Sequence, residues 1–313
     1  MTTKSPTAAD APATESLASG EDGTRLYVRA RRGPRVTTAV LCDGLACEGF
    51  IYKYLWDDLV AHLSVAHWHY RGHGRSALPV DPLRIQVADH AADLDAIRRH
   101  LGDPPVILVG HSFGAQVAIE AYRRRPGRIR ALVLLCGSVG RVTHTFRGTD
   151  LLARMLPEVA AWADRHPRLA RGLWGNLPPQ LGTFLARVTG DVDARAIQAE
   201  DVAPYFDHAA HVDFHLFLRM LAAAGEHTAE PLLPSLDLPV LVVAGDRDSF
   251  TPPELAEATA ARLPRAELLM VPGGTHVTPL EHRELVALRI EKFLTDHDLL
   301  RDEEGRDAPP TLP

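Results

Sequence analysis

Hydrophobic positions in this chain fall into short apolar runs and helically spaced stripes that take turns along the sequence. Leu26-Tyr27-Val28-Arg29-Ala30-Arg31 alternates as a strand does, and Ala39-Val40-Leu41-Cys42 is a short apolar run ending at Asp43-Gly44. Trp56 to Leu63 has helical spacing, Val65 to Tyr70 returns to strand, and residues 83–101 set Ile85, Val87, Ala91, Leu94 and Ile97 on a helical stripe. Val106-Ile107-Leu108-Val109, bounded by Pro104-Pro105 and Gly110, predicts a buried strand, followed by a helix from Ala115 to Arg125 that Pro126-Gly127 ends. Ile129 to Cys136, Leu238 to Gly245 and Leu268 to Pro272 supply further strands. Strands that alternate with helices predict an α/β fold with a mostly parallel central sheet and helices on both faces.

The alternation stops between about 140 and 236. Leu151, Leu152, Met155, Leu156 and Val159, then Phe206, Phe214, Phe217, Leu218 and Leu221, keep helical spacing there, with no β-rich run. An all-helical insertion at 140–236 is therefore expected, splitting a core of residues 22–139 and 237–298. The polar ends, 1–21 and 299–313, read as disordered tails.

Length and composition bound the rest. A chain of 313 residues holds one α/β domain with an insertion, and 46% hydrophobic with 24% charged residues is ordinary for a globular protein. A net charge of −6 with scattered arginines offers no basic surface for nucleic acid. No apolar run approaches the roughly 18 residues of a membrane span, and the first twenty residues lack the apolar centre of a secretory signal, so cytoplasmic residence is expected. The three cysteines cannot all pair; Cys42 and Cys136, in or beside apolar strands, read as buried thiols. No cysteine belongs to a metal-ligand spacing, and neither cofactor nor metal is expected. A small-molecule substrate is the expected partner, and the sequence leaves a homodimer open.

Candidate chemistry centres on Gly110-His111-Ser112-Phe113-Gly114, where an apolar strand turns sharply into a helix. A serine on such a turn projects its hydroxyl above the sheet, and the amide of Phe113 opens the helix N-terminus, where an oxyanion would form. Downstream, the strand ending at Gly245 runs into Asp246-Arg247-Asp248, and the next into Gly273-Gly274-Thr275-His276. With Arg71-Gly72-His73-Gly74-Arg75-Ser76 after an early strand, the chain resembles the α/β hydrolases over roughly residues 22 to 298. That resemblance implies a helical cap over the active site, a lid that would exclude water and shape the acyl pocket, and a serine, acid and histidine in the family's chain order.

The resemblance implies Ser112 as nucleophile and His276 as base; the acid that orients it is Asp246 or Asp248, and the resemblance favours Asp248, leaving Asp246 to bond its own turn's amides. His111, beside the serine, reads as a packing or capping residue. The backbone amides of Leu45 and Phe113 are the expected oxyanion donors. Many relatives carry His-Gly where this chain has Asp43-Gly44. A carboxylate there opposes a developing oxyanion unless it is paired, turned away or protonated, so Asp43 is read as structural, with Arg71 as its partner. The other reading makes Asp43 a determinant of substrate choice. His208, His211 and His215, with Asp201 and Asp207 nearby, read as one polar cap face rather than a zinc site. The Arg71–Ser76 loop lacks the lysine and spacing of a P-loop and reads as a turn flanking the site.

The expected function is cofactor-free hydrolysis of a carboxylic ester through an acyl-enzyme. A serine nucleophile argues against the epoxide-hydrolase and haloalkane-dehalogenase branches of the family. The same triad serves C–C bond hydrolases, lactonases, thioesterases and cofactor-independent haloperoxidases, and a non-catalytic receptor on this fold is a third class. Trp162, Trp174, Phe184, Phe206, Phe214 and Phe217 are candidate pocket rings; with two or more lining it, medium acyl chains, butyrate to octanoate, are favoured.

Overall fold

The computed structural model describes residues 12–176, 178–193 and 195–301. Its sheet has eight strands: β1 (Thr14–Ser19), β2 (Arg25–Arg31), β3 (Thr38–Cys42), β4 (Ser64–Trp68), β5 (Val106–His111), β6 (Ile129–Leu135), β7 (Val240–Gly245) and β8 (Ala266–Val271). Their order is β1-β2-β4-β3-β5-β6-β7-β8. β1 and β2 pair antiparallel, as do β2 and β4, and every pairing from β4 through β8 is parallel.

Period-two packing explains why helices cover both faces. Val40, Leu108, Leu132 and Leu134 point into one core, with α2 (Val87–His100), α3 (Phe113–Arg124) and α10 (Pro253–Arg262) packed over it. Their neighbours Ala39, Leu41, Ile107, Val109 and Val133 enter a second core, covered by α1 (Leu55–Val60) and α12 (Arg283–Asp296). The inner parallel strands, such as β5 and β7, are buried on both sides, hence their unbroken apolar runs, while β8 at the edge is half-buried.

Between β6 and β7 the chain is helical: α4 (Val142–Thr145), α5 (Leu151–Arg165), α6 (Pro167–Gly175), α7 (Pro179–Val188), α8 (Ala199–His211) and α9 (Phe214–Glu226). A short α11 (Thr278–Glu281) precedes α12.

The expected N-terminal tail is corrected in part. Residues 14–19 form β1, registered against β2 from Thr14–Ala30 to Ser19–Arg25. This edge strand is held by backbone bonds, with Ala18 its one buried side chain, so its sequence shows little hydrophobic alternation. Residues 1–11 lie outside the described part, as does the expected C-terminal tail from 302 onward; Leu299 is buried in the second core.

The turn between β1 and β2 is anchored by a fully buried arginine. Arg71 Nη1 donates to Asp22 at 2.7 Å, and Nε and Nη2 reach the two Asp93 oxygens at 2.5 and 2.7 Å. Desolvation makes such a network depend on all its partners. Asp93→Ala, which strands the guanidinium, should lower stability by about 3–5 kcal/mol, measured by urea unfolding; a loss below 1 kcal/mol would show that the pair relaxes into solvent.

Candidate active site

Ser112 stands between β5 and α3 at φ 52° and ψ −117°, a strained conformation for a residue with a side chain. Only glycine fits around it. A Cβ at Gly110 would lie 2.4 Å from the Gly114 carbonyl oxygen, and one at Gly114 would lie 2.0 Å from that of Cys42. The bend is bound to the sheet as well, since the Ser112 amide donates to Leu135 O at 3.0 Å.

Three strand ends converge on this hydroxyl. His276 follows β8, and its Nε2 lies 3.0 Å from Ser112 Oγ. Asp248 follows β7, and its carboxylate oxygens lie 2.9 and 3.1 Å from His276 Nδ1. A carboxylate only accepts, so Nδ1 carries the proton and the Nε2 lone pair faces the serine. Asp248 is buried and also accepts from the amides of Phe250 and Thr251, both at 2.9 Å. Burial pushes its pKa up, but the His276 charge and the hydrogen bonds from His276 and Thr251 outweigh that and hold it below the usual 3.8. Asp246 stands apart: its Oδ1 accepts from Gly273 at 2.7 Å, across to the neighbouring loop rather than within its own turn.

The expected oxyanion donors sit at the same end of the sheet. Phe113 is the first residue of α3. Leu45 follows Gly44, where an added Cβ would come 3.3 Å from Ser112 Cβ. Among the described residues, neither amide has a hydrogen-bond acceptor. Asp43 is fully buried, but its partner is His67 and not Arg71: His67 Nε2 meets Oδ2 at 2.7 Å, while the Gly49 amide donates to Oδ1 at 3.1 Å. The expected Asp43–Arg71 pair does not form: the guanidinium is taken up by Asp22, Asp93 and the Arg84 carbonyl, while Asp43 faces His67.

His111 does more than pack. Its Nε2 donates to the His276 carbonyl at 3.0 Å and so braces the backbone of the base. Burial, with His276 adding, pushes the pKa of His111 down to about 4. Phe250 stacks on the His276 ring, centroids 4.9 Å apart, and Phe146 meets Phe250 edge-on at 5.0 Å. Local sequence carried no sign of either contact. The Arg71–Ser76 loop belongs to the arginine network and holds His73, whose Nδ1 donates to Arg71 O at 3.0 Å.

The histidines of the insertion do not share a face. His208 and His211 lie on α8, the helix ends before Val212, and His215 lies on α9. His208 meets Glu48 at 3.1 Å, His215 meets Asp164, and Asp201 binds Lys53 and Tyr54. Among the candidate pocket rings, Trp174 lies 4.8 Å from Phe214 and 4.9 Å from Phe217, Trp162 packs in the apolar cluster that includes Phe214 and Phe217, and Phe184 is largely exposed. Phe206 packs against the second core. Trp174 and Phe217 also pack beside Ala46, Ala209 and Val212.

A family model described as the alpha/beta hydrolase fold matches residues 40–283. The chain belongs to that family. This alpha/beta hydrolase is 28% identical over 274 residues to the pimeloyl-[acyl-carrier protein] methyl ester esterase of Xanthomonas oryzae pv. oryzae, covering 82% of this chain and 94% of that one. It is also 33% identical over 287 residues to polyketide synthase ThaQ of Burkholderia thailandensis, which covers 89% of this chain but spans only 12% of the synthase. Among solved structures, an esterase from Exiguobacterium antarcticum superposes with a TM-score of 0.71 at 18% identity, covering 90% of this chain and 100% of that one. The enol-lactonase from Burkholderia xenovorans gives 0.72 at 20%, with the same coverages. At those identities the two structures show the shared fold. No helix among the described residues is long and apolar enough to cross a membrane.

The depressed pKa of Asp248 fixes a sign. Its ionised form stabilises the fold above the unfolded value of about 3.9, and that contribution is lost as pH falls through the lower folded value. The stability gap between the wild type and Asp248→Asn, from urea unfolding at pH 2 to 6, should therefore narrow below about pH 4. A gap that widens on acidification would contradict the assignment.

Proposed function

We propose that this alpha/beta hydrolase cleaves carboxylic esters through an acyl-enzyme, with Ser112, His276 and Asp248 as its triad. The observation that carries the reading is the continuous chain from Ser112 Oγ through the His276 ring to the Asp248 carboxylate, with spacings of 3.0 and 2.9 Å. A serine hydroxyl is a poor nucleophile until a base takes its proton. His276 Nε2 receives that proton as Oγ attacks the ester carbonyl, and Asp248 stabilises the imidazolium from Nδ1. The amides of Leu45 and Phe113 then receive the oxyanion. His276 returns the proton to the departing alcohol, and water, activated by the same ring, releases the acid. The helical insertion serves as the cap over this site. Names of relatives support the ester class: a methyl ester esterase among the curated proteins and an esterase among the structures.

A second reading puts an acyl thioester on the same triad. It is suggested by the polyketide synthase among the relatives; the esterase is named for a methyl ester on a chain attached to a carrier protein. Comparing kcat/KM for butyrate as a p-nitrophenyl ester and as an N-acetylcysteamine thioester separates them. The ester reading gives way if the thioester is turned over a hundredfold better.

Ser112→Ala should abolish both hydrolysis of p-nitrophenyl esters and covalent labelling by a fluorophosphonate. Asp248→Asn, which disturbs the tautomer of His276, should lower kcat by about 10³–10⁴-fold. Retained turnover in Ser112→Ala, or a wild type that a fluorophosphonate leaves unlabelled, would sink the proposal.

A further inference from the structure

We propose that the turn at 191–193, between α7 and α8, is a positioning element of the catalytic site, acting through Asp191 on the acid and through Glu281 on the base. This rests on the triad reading above. Asp191 Oδ1 accepts the Ser249 hydroxyl at 2.7 Å, and both its oxygens receive Arg147 Nη2 at 2.7 Å. The Arg147 amide in turn donates to Ser249 O at 2.9 Å. Ser249 directly follows Asp248, so the acid's neighbour is held through both side chain and backbone by the helical insertion.

Two residues further along, the same turn reaches the base. The Asp193 amide donates to Glu281 Oε1 at 2.8 Å. Glu281 also accepts the Thr275 hydroxyl on Oε1 and the Thr275 amide on Oε2, both at 2.8 Å. Thr275 directly precedes His276. Glu281 is 9% exposed and Thr275 2% exposed, and among the described residues no lysine or arginine pairs with the Glu281 carboxylate. Three neutral donors therefore carry its charge, and a buried carboxylate held this way tolerates little displacement.

The loop needs such a support. His276 follows Gly273, at φ +77°, and Gly274, beyond the last residue of β8, so no strand ladder fixes it. The His111 bond to its carbonyl reaches it from the side of the elbow, while Asp246 holds the Gly273 amide and Thr278 the Thr275 carbonyl. Because misplacing a catalytic group by about 1 Å can cost about 100-fold in rate, the segment presses acid and base toward one geometry. The structure thus assigns the insertion a role in kcat as well as in pocket shape.

The test uses full-length Asp191→Ala, Glu281→Gln, Thr275→Val and Thr275→Ser, with kcat and KM for p-nitrophenyl butyrate and the rate of fluorophosphonate labelling. Circular dichroism confirms that each variant is folded at assay temperature. Expected is a fall of about 10- to 100-fold in kcat and labelling rate for the first three, KM within twofold, and near wild-type behaviour for Thr275→Ser, which keeps the hydroxyl. The Asp191→Ala/Glu281→Gln double variant should lose less than the product of the single losses, because both act through one turn. Unchanged kcat in folded variants, or a raised KM at constant kcat, overturns the proposal while leaving the triad standing. Should Glu281→Gln not fold, the Thr275 pair decides. A wild type that is neither labelled nor active overturns the triad and this inference together.

Discussion

The site depends on one steric constraint: a serine held at positive φ between a buried strand and a helix. That conformation is unfavourable on its own, so the surroundings must enforce it. They do so by close approach, since Gly114 lies against the Cys42 carbonyl and Gly110 against Gly114, leaving no room for side chains. Seating Gly114 on Cys42 also fixes where β3 ends, and hence where the Asp43–Gly49 loop begins. Ser112 and the Asp43–Gly49 loop are thereby placed by the same contact.

Around that bend the protein spends buried polar groups on backbone support. His111 braces the His276 carbonyl, Asp43 joins His67 to the Gly49 amide, and Glu281 gathers three donors before His276. Each would be costly if left unpaired, and each ties a loop that no strand ladder reaches. The exchange is asymmetric. Hydrophobic layers set the sheet, while buried polar side chains set the loops on its carboxyl edge.

Sequence pattern revealed the parts whose cause is local. The runs of β3, β5, β6 and β7 are apolar because both faces are buried, and the Gly-x-Ser-x-Gly spacing is readable as a turn, with Gly110 set by a clash inside the motif and Gly114 by the Cys42 carbonyl outside it. The helical character of 140–236 was legible for the same reason. What escaped has long-range causes. β1 is held by backbone bonds along a sheet edge and buries only Ala18, so it resembles a polar tail. Asp43 chose His67 over Arg71 because of Asp22 and Asp93, which no reading of the Asp43–Gly44 dipeptide contains. The aromatic rings of the insertion carry helical spacing whether they face a pocket or each other, and the spacing does not show that Trp174 packs against Phe214 and Phe217.

The tautomer of His111 has a consequence for proton movement. Its Nε2 hydrogen is committed to the His276 carbonyl, and a pKa near 4 keeps the ring neutral at ordinary pH. Two imidazoles thus stand with centroids 5.0 Å apart, yet only one is free to exchange a proton with the serine. The second acts as a fixed dipole. On the triad proposed above, His111 therefore adds no second exchangeable charge beside the Ser112–His276 pair, and its orientation stays fixed while the neighbouring ring changes state.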